Sequence, residues 1–192
     1  MYVGKDEKFV YFGSFLQDET QSTPIKWRVH SIDGDCVRLI CDVVLFAMPF
    51  DQDCAIYETS AVRRYLNGEF LERAFNEEER AQIADTDLGV FSDKVYLPAL
   101  QDVERYARKD RIREVTKYAE ERGASAWDEM DEDAGIHCAR SGWYWTRTMA
   151  GSHVSDNHRF ACNITCRGQA EHTCVWSEDI GVVPMITLKR TK

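Results

Sequence analysis

Pro24-Ile-Lys-Trp-Arg-Val-His30, then Asp33-Gly34-Asp35, then Cys36-Val-Arg-Leu-Ile-Cys-Asp-Val-Val-Leu45 read together as an antiparallel hairpin. Ile25, Trp27 and Val29 fall on one side of an extended chain, and Lys26, Arg28 and His30 on the other, because successive strand side chains alternate between faces. Asp-Gly between two such runs supplies the backbone freedom that a tight hairpin turn requires. Phe9 to Phe15 adds a strand with partial alternation.

Outward from the hairpin the pattern changes. Ser60 is placed to cap a helix over Ala61 to Leu66, with Asn67-Gly68 ending it. Asn76-Glu-Glu-Glu79 has capping-box spacing ahead of a short helix through Ile83. Lys94 to Leu97 reads as a short strand, Leu100 to Ala107 and Ile112 to Glu121 as helices, and Asp128 to Asp133 as a solvated acidic loop. Gly142 to Thr148, Arg159 to Thr165, Thr173 to Trp176 and Gly181 to Leu188 return to short strands. No repeat or Pro/Gly-rich linker interrupts the chain. Strands, helices, then strands predict a single α+β domain over residues 1–192. Its sheet is antiparallel or mixed, with flanking helices, and the first and last strands share it.

Composition narrows the partners. At 44% hydrophobic and 11% aromatic, the 192 residues can build a core. The 33 acidic against 24 basic residues leave a formal charge of −9, which repels phosphate backbones and anionic membranes. Neither nucleic acid nor a membrane is an expected partner. The longest apolar-leaning run, Val37 to Phe50, is interrupted by Arg38, Asp42 and Pro49 and falls short of the roughly 20 residues of a span. Met1 to Lys8 lacks the apolar region of a signal peptide. The expectation is a cytoplasmic chain whose cysteines, Cys36, Cys41, Cys54, Cys138, Cys162, Cys166 and Cys174, are reduced.

Cys162, Cys166, His172 and Cys174 carry the ligand types of a zinc site. In an extended strand, however, positions 162 and 166 sit about 13 Å apart. Inert thiols are therefore the expectation, no cofactor is assigned, and the zinc set stands as the alternative. His137 and Cys138 are adjacent and point apart, so they form no dyad. The acidic run at 128–133 lacks the calcium-loop rhythm, and there is no glycine-rich phosphate loop. The basic run Arg105 to Arg113 is interleaved with Asp110 and reads as an ion-paired surface. No catalytic residue is assigned.

Aromatic, Arg and Asn residues gather from Arg140 to Trp176, the residue types that recognition surfaces use. Trp143 and Trp145 share a strand face and are assigned to the interior. Tyr144, Arg147, His153, His158, Arg159, Asn163 and Arg167 are assigned to a binding surface. The expected ligand is a protein or a glycan, met by loops between Thr148 and Glu178 that project as one face.

The order Pro24-Ile-Lys-Trp-Arg-Val29, Ser60-Ala-Val-Arg63-Arg-Tyr-Leu66-Asn67, Phe70, Ala74-Phe75, Glu79-Arg80 and Ile83 resembles a widespread, functionally uncharacterised bacterial and phage domain. Val95-Tyr-Leu97, Tyr106, Thr116-Lys-Tyr-Ala119, Gly142-Trp-Tyr-Trp145-Thr-Arg147 and Gly181-Val-Val-Pro184-Met-Ile extend the match along nearly the whole chain. The last two motifs are also similar to C-type-lectin-like domains of the formylglycine-generating-enzyme type, including ligand-binding proteins of diversity-generating retroelements. That resemblance implies a C-type-lectin-like fold with a ligand surface between Trp143 and Trp176. It also implies an alternative, a cysteine- or metal-dependent enzyme in which Cys162 and Cys166 would be the reactive pair. A structural part of a phage or secretion assembly is a third class. The chain departs from the family pattern at Val183, where arginine is usual, at Ala99, where a capping serine is usual, and at Thr148, where serine is usual.

Overall fold

The computed structural model describes residues 8–18, 20–132 and 134–189; Asp133 of the acidic run and the first seven residues lie outside them. Strands β1 (Phe9–Leu16), β2 (Ser22–Asp33) and β3 (Cys36–Cys41) form an antiparallel meander. The predicted hairpin is present, turned by Gly34 at φ 54° and Asp35. Short strands β4 (Val43–Val44) and β5 (Phe46–Ala47) lead to helices α1 (Ala61–Tyr65), α2 (Leu71–Ala74) and α3 (Glu77–Gln82). A small hairpin of β6 (Thr86–Asp87) and β7 (Ser92–Asp93) precedes β8 (Val95–Tyr96), α4 (Leu100–Glu104) and α5 (Arg108–Arg111). Next come β9 (Glu114–Val115), α6 (Lys117–Glu121), β10 (Trp127–Asp131) and β11 (Ile136–Ser141). The chain closes through β12 (Tyr144–Met149), β13 (Phe160–Ile164), β14 (Ala170–Cys174), β15 (Gly181–Val182) and β16 (Met185–Lys189).

These strands make an α+β fold with three principal sheets among the described residues. The first runs β1-β2-β3-β16-β8 and is antiparallel throughout, so the opening and closing strands do meet. The second runs β14-β13-β12-β15-β5 and the third β10-β11-β9-β4, each with one parallel pair. One buried apolar cluster extends from Val10 to Leu188 and joins residues of all three.

Two bulges explain the irregular alternation of the opening strands. The β1–β2 register shifts between Tyr11 and Ser14, so Phe12 and Phe15 both reach the core although three positions apart. Gly13 holds φ 66°, and a Cβ there would lie 2.5 Å from the Phe75 ring and 2.7 Å from the Ala74 carbonyl oxygen, so only glycine fits. The β2–β3 register shifts between Val29 and Ser31; His30 stays on the side of Arg28, where Tyr106 covers both, and its side chain is 2% exposed. Its Nδ1 lies 2.8 Å from the Tyr106 hydroxyl.

Burial lowers the His30 pKa below its ordinary 6.5, with Arg105 and Arg38 adding to the effect and Asp102 opposing it. A histidine depressed in the fold contributes stability above its unfolded pKa, and that contribution is lost as pH falls. Asp18, held down by the Gln21 and Thr20 amides, and Asp131, by the Ala134 amide and Arg108, lose theirs below their ordinary 3.8. The expected result is a fall in melting temperature as pH drops below the ordinary histidine value of 6.5 that His30→Gln flattens. An equal fall in that variant would show that His30 is not the source.

Elsewhere the helical and loop expectations need revision. Ser60 caps α1, accepting from Arg63 N at 3.3 Å, and Asn76 and Glu79 form the capping box. Asn67-Gly68 does not end the helix. A wide turn with a kink at Gly68 carries α1 into α2, because the Asn67 amide is engaged with β8: it accepts from Lys94 N and Val95 N and donates to Val95 O. The predicted helix from Ile112 is instead a strand followed by α6, capped by Thr116. Nor is Arg113 a surface residue. It is buried, donating to the carbonyls of Cys41, Asp110 and Ile112. The acidic run is largely strand β10, where pairing with β11 overrides local preference. Among the described residues no helix is long and apolar enough to cross a membrane.

Candidate functional site

The seven predicted surface residues separate in the structure. Tyr144 is buried, and its hydroxyl donates to Arg111 O at 2.8 Å; Asn163 is also buried and donates to Thr173 Oγ1. Alternation fails as a guide on β12 because this central strand is covered on both faces, one by Phe50 against Trp145 and the other by the segment from α4 to Arg113. Arg147 turns inward to Leu97 O at 2.7 Å and Asp102 Oδ2 at 3.2 Å. Beside it, Thr148 Oγ1 accepts from Leu100 N at 2.9 Å, standing in for the capping serine that Ala99 replaces.

The four remaining residues do not share one face. His153, His158 and Arg159 are exposed before β13, where Arg159 lies over the Trp176 ring at 4.6 Å. Arg167 lies in the turn after β13, at its other end. A five-residue strand holds these ends about 13 Å apart. The expectation of a single projecting face is therefore corrected: strand direction sends consecutive loops to opposite ends of a sheet.

At the Arg167 end there is a cleft of about 270 Å³. Trp145 pairs with Asn163, and Thr165 N donates to Gln169 O. This register puts Trp143, Thr165, Gln169 and Glu171 on one side of the sheet. Trp127 and Glu129 of β10 line the same cleft. Trp143 is half-buried, and Trp127 is 45% exposed.

The turn at 165–169 is rigidly held. Thr165 Oγ1 accepts from Arg167 N and Gln169 N. Gly168 holds φ 73°, and a Cβ there would sit 2.3 Å from Arg108 O. Arg108 Nε donates to Arg167 O at 2.9 Å, and Arg167 makes a double contact with Glu129 Oε2, at 2.9 Å from Nε and 2.7 Å from Nη2. This pair ties β10 to the turn and cancels its own charge. Glu171 is exposed and leaves the cleft with one net negative charge.

The family model for a domain of unknown function, DUF6273, matches residues 44–190. The chain belongs to this family. The matched range takes in the cleft, the helices and β16, while β1–β3 precede it; β3 nonetheless pairs with β16. No curated protein matches the chain, and no solved structure does.

The cysteines of this DUF6273 chain are spread rather than gathered. Cys162 lies across from His172 in the β13–β14 ladder, with its Sγ 3.7 Å from Met149 O. Cys174 Sγ is 3.1 Å from Ser177 Oγ, and Cys166 is buried in the cleft wall. Among the described residues no three His, Cys, Asp or Glu side chains form a metal-ligand group. Burial pushes the thiols of Cys138, Cys162 and Cys166 up, away from the nucleophilic thiolate. His137 points outward to Asp128 at 2.9 Å, while Cys138 points inward.

Residue-by-residue reading of the sequence missed Trp127, Glu129, Gln169 and Glu171. A solitary tryptophan beside an acidic run was the one available signal.

Proposed function

We propose that this chain is a non-catalytic recognition module for a protein or glycan ligand, bound in the cleft that Trp127 and Trp143 line. The observation that carries the reading is a cleft lined by a half-exposed and a half-buried tryptophan beside a hydrogen-bonded polar turn. Ligand sites combine aromatic walls with a few placed polar groups, and Arg167, Gln169 and Glu171 are such groups here. Drug-sized ligands occupy about 300–1,000 Å³; the cleft, at about 270 Å³, suits one side chain or one sugar ring. On this reading the motifs Gly142–Arg147 and Gly181–Ile186 would belong to a C-type-lectin-like fold, as their resemblance implies.

Trp127→Ala is the test. Binding to whichever members of a peptide array and a glycan array the native chain retains should fall at least about tenfold. The covered part of the indole is lost as well, so stability should fall by about 1–2 kcal/mol while the far-UV circular dichroism spectrum is unchanged. Undiminished binding in this variant would place the site elsewhere.

A further inference from the structure

The cleft opens beside a sheet edge that no described strand covers. β14 is the last strand of its sheet, and Ala170, Glu171 and His172 are exposed. Its hydrogen-bond phase follows from two bonds at its ends: Thr165 N to Gln169 O, and Val175 N to Arg159 O. Antiparallel ladders alternate bonded and non-bonded pairs. Glu171 and Thr173 therefore spend their backbone groups on β13, whereas Ala170, His172 and Cys174 point theirs away from it. Among the described residues, the backbone groups of Ala170 and His172 have no other strand to bond. Such an edge is a template for an added strand.

Resting on the recognition reading above, we propose that the ligand is an extended peptide segment that adds to the β14 edge and places a lysine or arginine side chain in the cleft. Glu171 would stand at a non-bonded position of the new ladder, where facing side chains come closest. A carboxylate there selects a cation opposite it. Glu129 is already neutralised by Arg167, so Glu171 is the cleft carboxylate left to attract the ligand. Trp127 lines the same cleft, and an indole within reach of a cation adds attraction. The acidic chain, at −9, favours approach of a basic segment.

The probe is a set of fluorescent peptide mixtures of about seven residues, randomised around a central Lys, Arg or Glu, run beside an array of neutral glycans. The Lys- and Arg-centred mixtures should bind at least about tenfold more tightly than the Glu-centred one, and Glu171→Gln should remove that preference. His172→Pro deletes one outward amide and no β13 bond, a change that edge strands tolerate. It should weaken peptide binding about tenfold, while His172→Ala should not. Backbone N-methylation of the peptide should have the same effect without altering the protein.

Peptide binding that survives both His172→Pro and N-methylation would overturn strand addition. Glycan binding that depends on Trp127, with no peptide binding, would overturn this inference and leave the recognition cleft standing. Self-association of the chain that His172→Pro abolishes would assign the edge to a second copy and overturn the peptide. Absence of any binding to either array would overturn both proposals.

Discussion

Trp27→Ala is expected to lower the unfolding free energy by about 3–5 kcal/mol, read as a shift in the urea midpoint at unchanged slope. Trp27 is fully buried in the first sheet, and its Nε1 donates to Phe12 O at 2.8 Å. Its ring stacks on Phe75 at 6.3 Å, and Phe75 also contacts Phe12 and Phe70. Truncation removes the largest packing unit between the sheet and the helical segment. It also leaves the buried Phe12 carbonyl short of its donor. Trp27→Phe retains much of the packing and should forfeit about 1–2 kcal/mol for the lost hydrogen bond. A loss below about 1 kcal/mol for alanine would show that the first sheet does not pack as described.

Arg63→Ala should rank next, at about 3 kcal/mol. Asp93 is buried in β7, with its side chain 3% exposed. Arg63 reaches it from α1 with three hydrogen bonds, from Nε at 3.0 and 2.8 Å and from Nη2 at 2.8 Å. The guanidinium also lies 4.3 Å from the Phe91 ring centre. Removing it leaves a carboxylate in the interior without a counter-charge. The 24% exposure of Arg63 admits some water and keeps the estimate at the lower end of the buried-pair range. Combining Arg63→Ala with Asp93→Asn should recover part of the loss, because the second change discharges the stranded group. A double variant as unstable as the sum of both single changes would mean that the two side chains act independently.

Both changes fall at positions that the sequence made conspicuous, and they mark how far local reading extends. Trp27 stood out because it sits amid alternating polar neighbours, a pattern set by the period of a strand. Ser60, Asn76 and Glu79 were legible as caps because a helix end leaves amides that nearby side chains must satisfy. The Gly34 turn was legible because few residues adopt its backbone angle. Each of these signals arises within a few residues of chain, so the sequence alone carried them. Arg63 was legible as part of a motif, but its partner thirty positions away was not.

What only the tertiary structure decided depends on groups distant in the chain. β12 is covered on both faces, so Tyr144 is buried where alternation would expose it. Pairing with β11 drew an acidic segment into a strand, set Trp127 opposite Ser141 and brought it to the same cleft as Trp143. Thr148 came to cap α4 from another sheet. The cleft has walls from residues 127–129, 143 and 165–171, joined by the Arg167–Glu129 pair and the Arg108 bond to the turn. No local pattern encodes that juxtaposition, because charge pairing and strand register act across space and are indifferent to separation along the chain.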